Sequence, residues 1–138
     1  MSKMWGVAWL CVALVIGMGA GVATAQTTII NPTTVVFNPS ADHLSVIDGQ
    51  PVVVKYELRI FVNGATTSTA VIDLGKPSLT LGVVTMPFSV AVLPLSSTIK
   101  YLAYVVAMGP TGEGVSGASN LFMRVGPPGA PGVPVVSK

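Results

Sequence analysis

The stretch Val54-Lys55-Tyr56-Glu57-Leu58-Arg59-Ile60-Phe61-Val62 sets Val54, Tyr56, Leu58, Ile60 and Val62 against Lys55, Glu57, Arg59 and Phe61. Successive side chains of a strand point to opposite faces, so this period of two predicts a strand with one face in a core and the other in water. Phe61 is the one large apolar side chain on the wet side. A second alternation sets Val84, Met86, Phe88, Val90 and Val92 against Val83, Thr85, Pro87, Ser89 and Ala91. Pro87 has no amide proton to give a ladder, which predicts an edge strand with Pro87 on its free side.

Working outward, four more stretches rich in Val, Ile and Thr are strand candidates: Thr33 to Asn38, Thr69 to Leu74, Lys100 to Met108 and Ser119 to Val125. Turn-forming clusters punctuate them at Asn38 to Asp42, Asp48 to Pro51, Asn63-Gly64, Gly75-Lys76-Pro77 and Gly109 to Gly114. The last of these is expected to be a mobile hairpin connection. Helical periodicity is nearly absent. Six or seven short strands at this spacing predict an all-β fold, an antiparallel sandwich.

The residues before the first strand read differently. Lys3 precedes an uncharged apolar run from Met4 to Val22, and Ala23-Thr24-Ala25 follows. A basic start, an apolar middle and small residues one and three places before a cut form a secretory signal, predicting a helical leader over 1–25 with cleavage before Gln26. The run is close to the ~20 residues of a spanning helix, but Gly17, Gly19 and Gly21 weaken its far end and no basic stop-transfer cluster follows. Residues 26–32 form an N-terminal extension, 33–125 the sandwich domain, and 126–138 a Pro/Gly-rich tail. The tail, Gly126-Pro127-Pro128-Gly129-Ala130-Pro131-Gly132-Val133-Pro134 onward, is expected to be extended and solvated; its three Gly triplets are too few for a collagen helix.

Within the domain, Leu95-Ser96-Ser97-Thr98-Ile99-Lys100-Tyr101-Leu102-Ala103-Tyr104-Val105-Val106-Ala107 resembles the sixth strand of the fibronectin type III domain, one of the immunoglobulin-like sandwiches. The resemblance implies that Leu95 plugs the bottom of the sandwich and that the Tyr101 hydroxyl bonds backbone in the preceding corner. It also implies inward positions at Tyr101, Ala103, Val105 and Ala107. Phe37 takes the place of the family's usual second-strand Trp, and Tyr56 that of the third-strand aromatic. The first strand is reduced to Thr27 to Ile30, and no Arg-Gly-Asp tripeptide is present.

Composition narrows the function. The chain is 51% hydrophobic and 9% charged with a formal charge of +2, too little to attract nucleic acid or anionic lipid. Cleavage before Gln26 removes Cys11, the only cysteine, and with it all thiol chemistry. The only imidazole, His43, follows Asp42 in a turn cluster; it reads as a loop histidine bonded to local backbone rather than a general base oriented by the carboxylate. Asp42 and Asp48 are turn formers, too few for calcium's six to eight oxygens. Neither a nucleophile elbow nor a phosphate loop is present. No catalytic residue, metal or cofactor is implied.

One feature rises above this background. With Tyr101, Ala103, Val105 and Ala107 inward, Leu102, Tyr104 and Val106 face outward beside Phe61, where a wet sheet face should be polar. Either this stripe is a contact surface or the stems of Lys55 and Arg59 cover it. The expectation is a secreted, non-catalytic binding or adhesion module, extracytoplasmic and free of the membrane once cleaved. Its partner would be a protein or glycan at the cell surface, met through Phe61, Leu102, Tyr104 and Val106 and through Thr111 and Glu113 of the hairpin. The alternative is a structural subunit of a surface fibre or layer, a homo-oligomer built by strand addition at an edge left open by the weak first strand, with the extension of 26–32 pairing to another copy.

Overall fold

A computed structural model of the chain describes residues 27–138. The expected leader helix and cleavage point lie outside the described residues. The fold is an all-β antiparallel sandwich whose elements are β1 (Ile29–Ile30), β2 (Thr34–Phe37), β3 (Val46–Ile47), β4 (Gln50–Pro51), β5 (Lys55–Val62), β6 (Ala70–Gly75), β7 (Val84–Pro87), a 3-10 turn at Val90–Val92, β8 (Tyr101–Gly109), β9 (Gly112–Val115) and β10 (Phe122–Met123). The larger sheet has the order β1-β10-β8-β5-β6, with β9 also on β8; β2 and β7 form the facing sheet, and β3 and β4 a small ribbon.

The alternating stretch forms the centre of the larger sheet. Strand β5 pairs with β8 along its whole length, from Lys55 opposite Met108 to Val62 opposite Tyr101. Its inward residues Tyr56, Leu58 and Ile60 are buried with Tyr101, Ala103, Leu74 and Phe122, and Val35, Phe37, Met86 and Phe88 of the facing side pack against them. Phe37 meets Tyr56 with ring centroids 5.2 Å apart, and Phe88 meets Phe122 at 6.4 Å. Apolar side chains removed from water by both sheets are the main source of stability.

Strand β7 is an edge strand, paired among the described residues only with β2. It ends at Pro87, earlier than the alternation through Val92 suggests. Ser89 caps a 3-10 turn there, its Oγ accepting from the Ala91 amide at 3.1 Å, so Val90 to Val92 leave the sheet. Two features implied by the family resemblance differ. Leu95 is 58% exposed, and Leu93 fills the core at the bottom instead. The Tyr101 hydroxyl is buried and has no hydrogen-bond partner among the described residues, so the corner is not held by that bond. Arg124 holds the corner instead, its Nη1 donating to the carbonyls of Ala91, at 2.9 Å, and Leu93.

The last strand is also shorter than Ser119 to Val125. Between β9 and β10 the chain leaves the ladder, and Ser116 and Ser119 replace backbone as partners of β8. The amides of Val105 and Ala103 donate to the Ser116 and Ser119 hydroxyls, each at 2.9 Å, while the Ser116 and Ser119 amides donate back to those residues' carbonyls. The turn cluster at Asp48-Gly49 is a two-residue hairpin between β3 and β4, with positive φ at both residues. Gly109 is required for a different reason: a β-carbon there would stand 1.9 Å from the Val52 carbonyl oxygen.

Candidate functional site

The outward face of the larger sheet holds two regions. At one end Lys55, Glu57 and Arg59 of β5 form a continuous charge network with Asp73 of β6 and Glu113 of β9. Lys55 Nζ bridges Glu57 at 3.2 Å and Asp73 at 3.1 Å. Arg59 donates to Glu57 Oε2 from Nε and Nη2 at 3.2 and 3.1 Å, and grips Glu113 with both terminal nitrogens at 3.0 and 2.8 Å. The fork geometry makes the Arg59–Glu113 link the strong one.

The network shifts the titration of its members in the directions its geometry demands. Hydrogen bonds from Arg59 hold the Glu113 carboxyl below its usual range. The Gly75 amide, 2.7 Å from Asp73 Oδ1, is the first cause of a low Asp73 value, with Lys55 second. Bonds to Asp73 and then Glu57 raise Lys55, and bonds to Glu113 and then Glu57 raise Arg59.

Register explains what this network covers. Arg59 lies opposite Tyr104, Glu57 opposite Val106, and Glu113 opposite Met108. A pair running from Arg59 on β5 to Glu113 on β9 must cross β8 at Val106. Val106 points away from the core, yet it is 0% exposed. The exposed position expected for it is therefore corrected: the charged strap and the neighbouring strands seal it.

The second region is open. Phe61 and Tyr104 meet edge to face, with centroids 5.4 Å apart and planes at 87°. Both are only partly buried, and together with Arg59, Ala65, Thr66, Val106 and Val115 they line a groove of about 400 Å³. Of the residues expected at a contact surface, the structure thus brings Phe61, Tyr104 and Val106 together. Leu102 lies beside Phe61 in the register but not in the groove wall. Glu113 is engaged with Arg59. Thr111 stands apart, in the two-residue turn between Gly109 and Gly112, and with Asp42 and Glu113 it lines a separate cleft of about 260 Å³. The connection expected over Gly109 to Gly114 is mostly strand. Val115, Ala65 and Thr66 were not foreseen; the Asn63-Gly64 turn, which carries Ala65 and Thr66 back over Phe61, was their only signal.

No protein-family model, curated protein or solved structure matches the chain.

His43 is buried and lines neither the aromatic groove nor the cleft at Thr111. Its Nδ1 is 2.9 Å from the Tyr56 hydroxyl, the rings stack at 5.6 Å, and that hydroxyl also accepts from the Ser40 amide at 3.1 Å. The expected bond to local backbone is therefore replaced by a side-chain pair that ties the β2–β3 connection to β5. Among the described residues no group of three or more His, Cys, Asp or Glu side chains is placed to hold a metal ion.

A last feature lies on the inward face. Among the described residues β2 pairs only with β7, and β9 only with β8. Between their outer edges runs a seam with two hollows of about 280 and 120 Å³, floored by Ala103, Val105 and Ala107 of β8. The extension expected to pair with another copy is used in its own chain: Ile29 and Ile30 pair in parallel with Phe122 and Met123.

Proposed function

We propose that the chain is a secreted, non-catalytic binding module of fibronectin type III-like design, which meets a protein or glycan at the cell surface through the outward face of β5 and β8. The observation that carries this reading is the Phe61–Tyr104 pair, left half-covered in a groove beside a stretch of the same face that charge covers. Aromatic side chains with a polar tip are the commonest anchors of contact surfaces. Replacing Tyr104→Ser should abolish capture of the partner from cell-surface material while the thermal transition stays nearly in place. Loss of the fold instead would make Tyr104 a core residue and end this reading. The secretion step predicts a product beginning at Gln26 by mass spectrometry; a chain that retains Met1 in membranes would refute it.

A second reading, assembly by strand addition, is favoured by the seam between β2 and β9. Inward positions of β8 lie under it, and the two edges flanking it have no second partner among the described residues. An extended segment could pair with either edge and set alternate side chains over Ala103 and Ala107. A strictly monomeric chain at high concentration by light scattering would count against it.

A further inference from the structure

The tail and the aromatic groove are complementary. Beyond Val125 the chain carries Pro128, Pro131 and Pro134, one at every third position, and residues 127–138 are exposed throughout. A polyproline II helix has three residues per turn and rises about 3.1 Å per residue, so the three rings form a single ridge with a spacing of about 9 Å. Such a helix needs no internal hydrogen bonds and is already nearly ordered before binding. Its usual recognition surface is a groove walled by aromatic rings, with a donor for the backbone carbonyls between the prolines.

The groove at Phe61 and Tyr104 supplies both. The rings meet edge to face and together form an aromatic wall of the groove. Donors are at hand. Arg59 has five N–H groups, of which its bonds to Glu57 and Glu113 use four; the remaining one and the Tyr104 hydroxyl can reach a carbonyl lying along the groove. Charge agrees as well. The tail has no ionisable side chain before Lys138, and the charges beside the groove are paired with one another, so neither partner must strip a lone charge of water.

Tail exit decides whose groove is filled. Strand β10 runs antiparallel to β8 with Phe122 opposite Tyr101, so the chain beyond Met123 heads away from Tyr104. The side chain of Asn31 fixes that heading, with its Nδ2 donating to the Val125 carbonyl at 3.0 Å and its Oδ1 accepting from the Val125 amide at 2.9 Å. An extended segment launched in this direction leads away from the groove of its own molecule. We infer that the Pro128–Pro131–Pro134 ridge of one molecule docks in the Phe61–Tyr104 groove of a second copy. This inference rests on the groove being the contact surface, and it names the partner. Tail and groove are different patches, so the contact is head-to-tail and builds open chains rather than closed dimers.

The test uses the isotope-labelled full chain and the synthetic peptide Gly126–Lys138. Sedimentation should show average mass rising with concentration, and excess peptide should return it to monomer. The peptide should also shift the amide resonances around Phe61, Tyr104 and Val115. The triple change Pro128→Gly, Pro131→Gly and Pro134→Gly, in an exposed segment that cannot disturb the fold, should abolish self-association, as should Tyr104→Ser. A chain that stays monomeric and is not perturbed by the peptide overturns the inference. So do tail resonances already perturbed at high dilution, which would place the tail in its own groove. If Tyr104→Ser still abolishes capture of surface material in either case, the groove reading stands and only the occupant is wrong; if capture is unchanged too, both fall.

Discussion

The two faces of β8 are built from equally apolar residues and covered in opposite ways. Inward, Tyr101 is buried with the core of β5, and side chains of the second sheet, β2 and β7, pack against that core. Outward, Val106 is buried where the Arg59–Glu113 pair crosses β8, while Tyr104, two residues away, shares an open groove with Phe61. The difference teaches that a hydrophobic stripe on a sheet face has three fates in one strand: a second layer, a charged lid, or a partner. Only the last has functional content, and register decides which residue meets which fate.

The largest effect should come from breaking the layered face. Ile60 is 0% exposed between β8 and β6, so Ile60→Ala leaves a cavity and should cost about 2–5 kcal/mol, read from the midpoint of denaturant unfolding. A loss below about 1 kcal/mol would mean that the second sheet does not close over this position.

Next come the two buried tyrosines, which look alike in sequence. The Tyr56 hydroxyl serves both the Ser40 amide and His43, so Tyr56→Phe leaves two polar groups without their partner and should cost about 1–3 kcal/mol. The Tyr101 hydroxyl serves nothing among the described residues, and Tyr101→Phe should be neutral or stabilising. Equal losses from the two changes would restore the corner bond that the family resemblance implies. On the outward face, Tyr104→Ser removes the edge-to-face contact with Phe61 and should cost only about 1 kcal/mol while abolishing binding.

How much of this was legible in the sequence follows the range of the interactions. Strands β5 and β8 were, because their alternation is local and their partners lie opposite in simple register. The inward set Tyr56, Leu58 and Ile60 followed from the same pattern. The end of β7 was not, because alternation continues through Val92 while the competing signal, a Ser89 cap, acts through one hydroxyl. Leu93 and Leu95 have the same parity, so alternation does not separate them; the corner is set by long-range bonds such as those from Arg124 to Ala91 and Leu93. At the site, Phe61 and Tyr104 were found as apolar residues on a wet face. The burial of Val106 was hidden because its cover is an ion pair between residues 54 positions apart.

The smallest effect distinguishes that charged lid from a true layer. Glu113 titrates below its ordinary value because Arg59 donates to it, and Asp73 does so because of Gly75 and Lys55. A carboxyl whose folded value is depressed contributes stability at pH above its unfolded value, about 3.9 for Asp and 4.3 for Glu, and loses it as pH falls through the lower folded value. The contribution of these two carboxyls should therefore be constant from neutral pH to about 5 and decline below about 4.5, whereas Arg59 stays charged throughout. Glu113→Gln should remove its share of the acid decline and admit solvent to the Val106 side chain, seen as stronger relaxation of the Val106 methyl resonances by a dissolved paramagnetic probe at neutral pH. If Val106 keeps its protection in Glu113→Gln, the neighbouring strands alone seal it, and the ion pair only rests on a surface that is already closed.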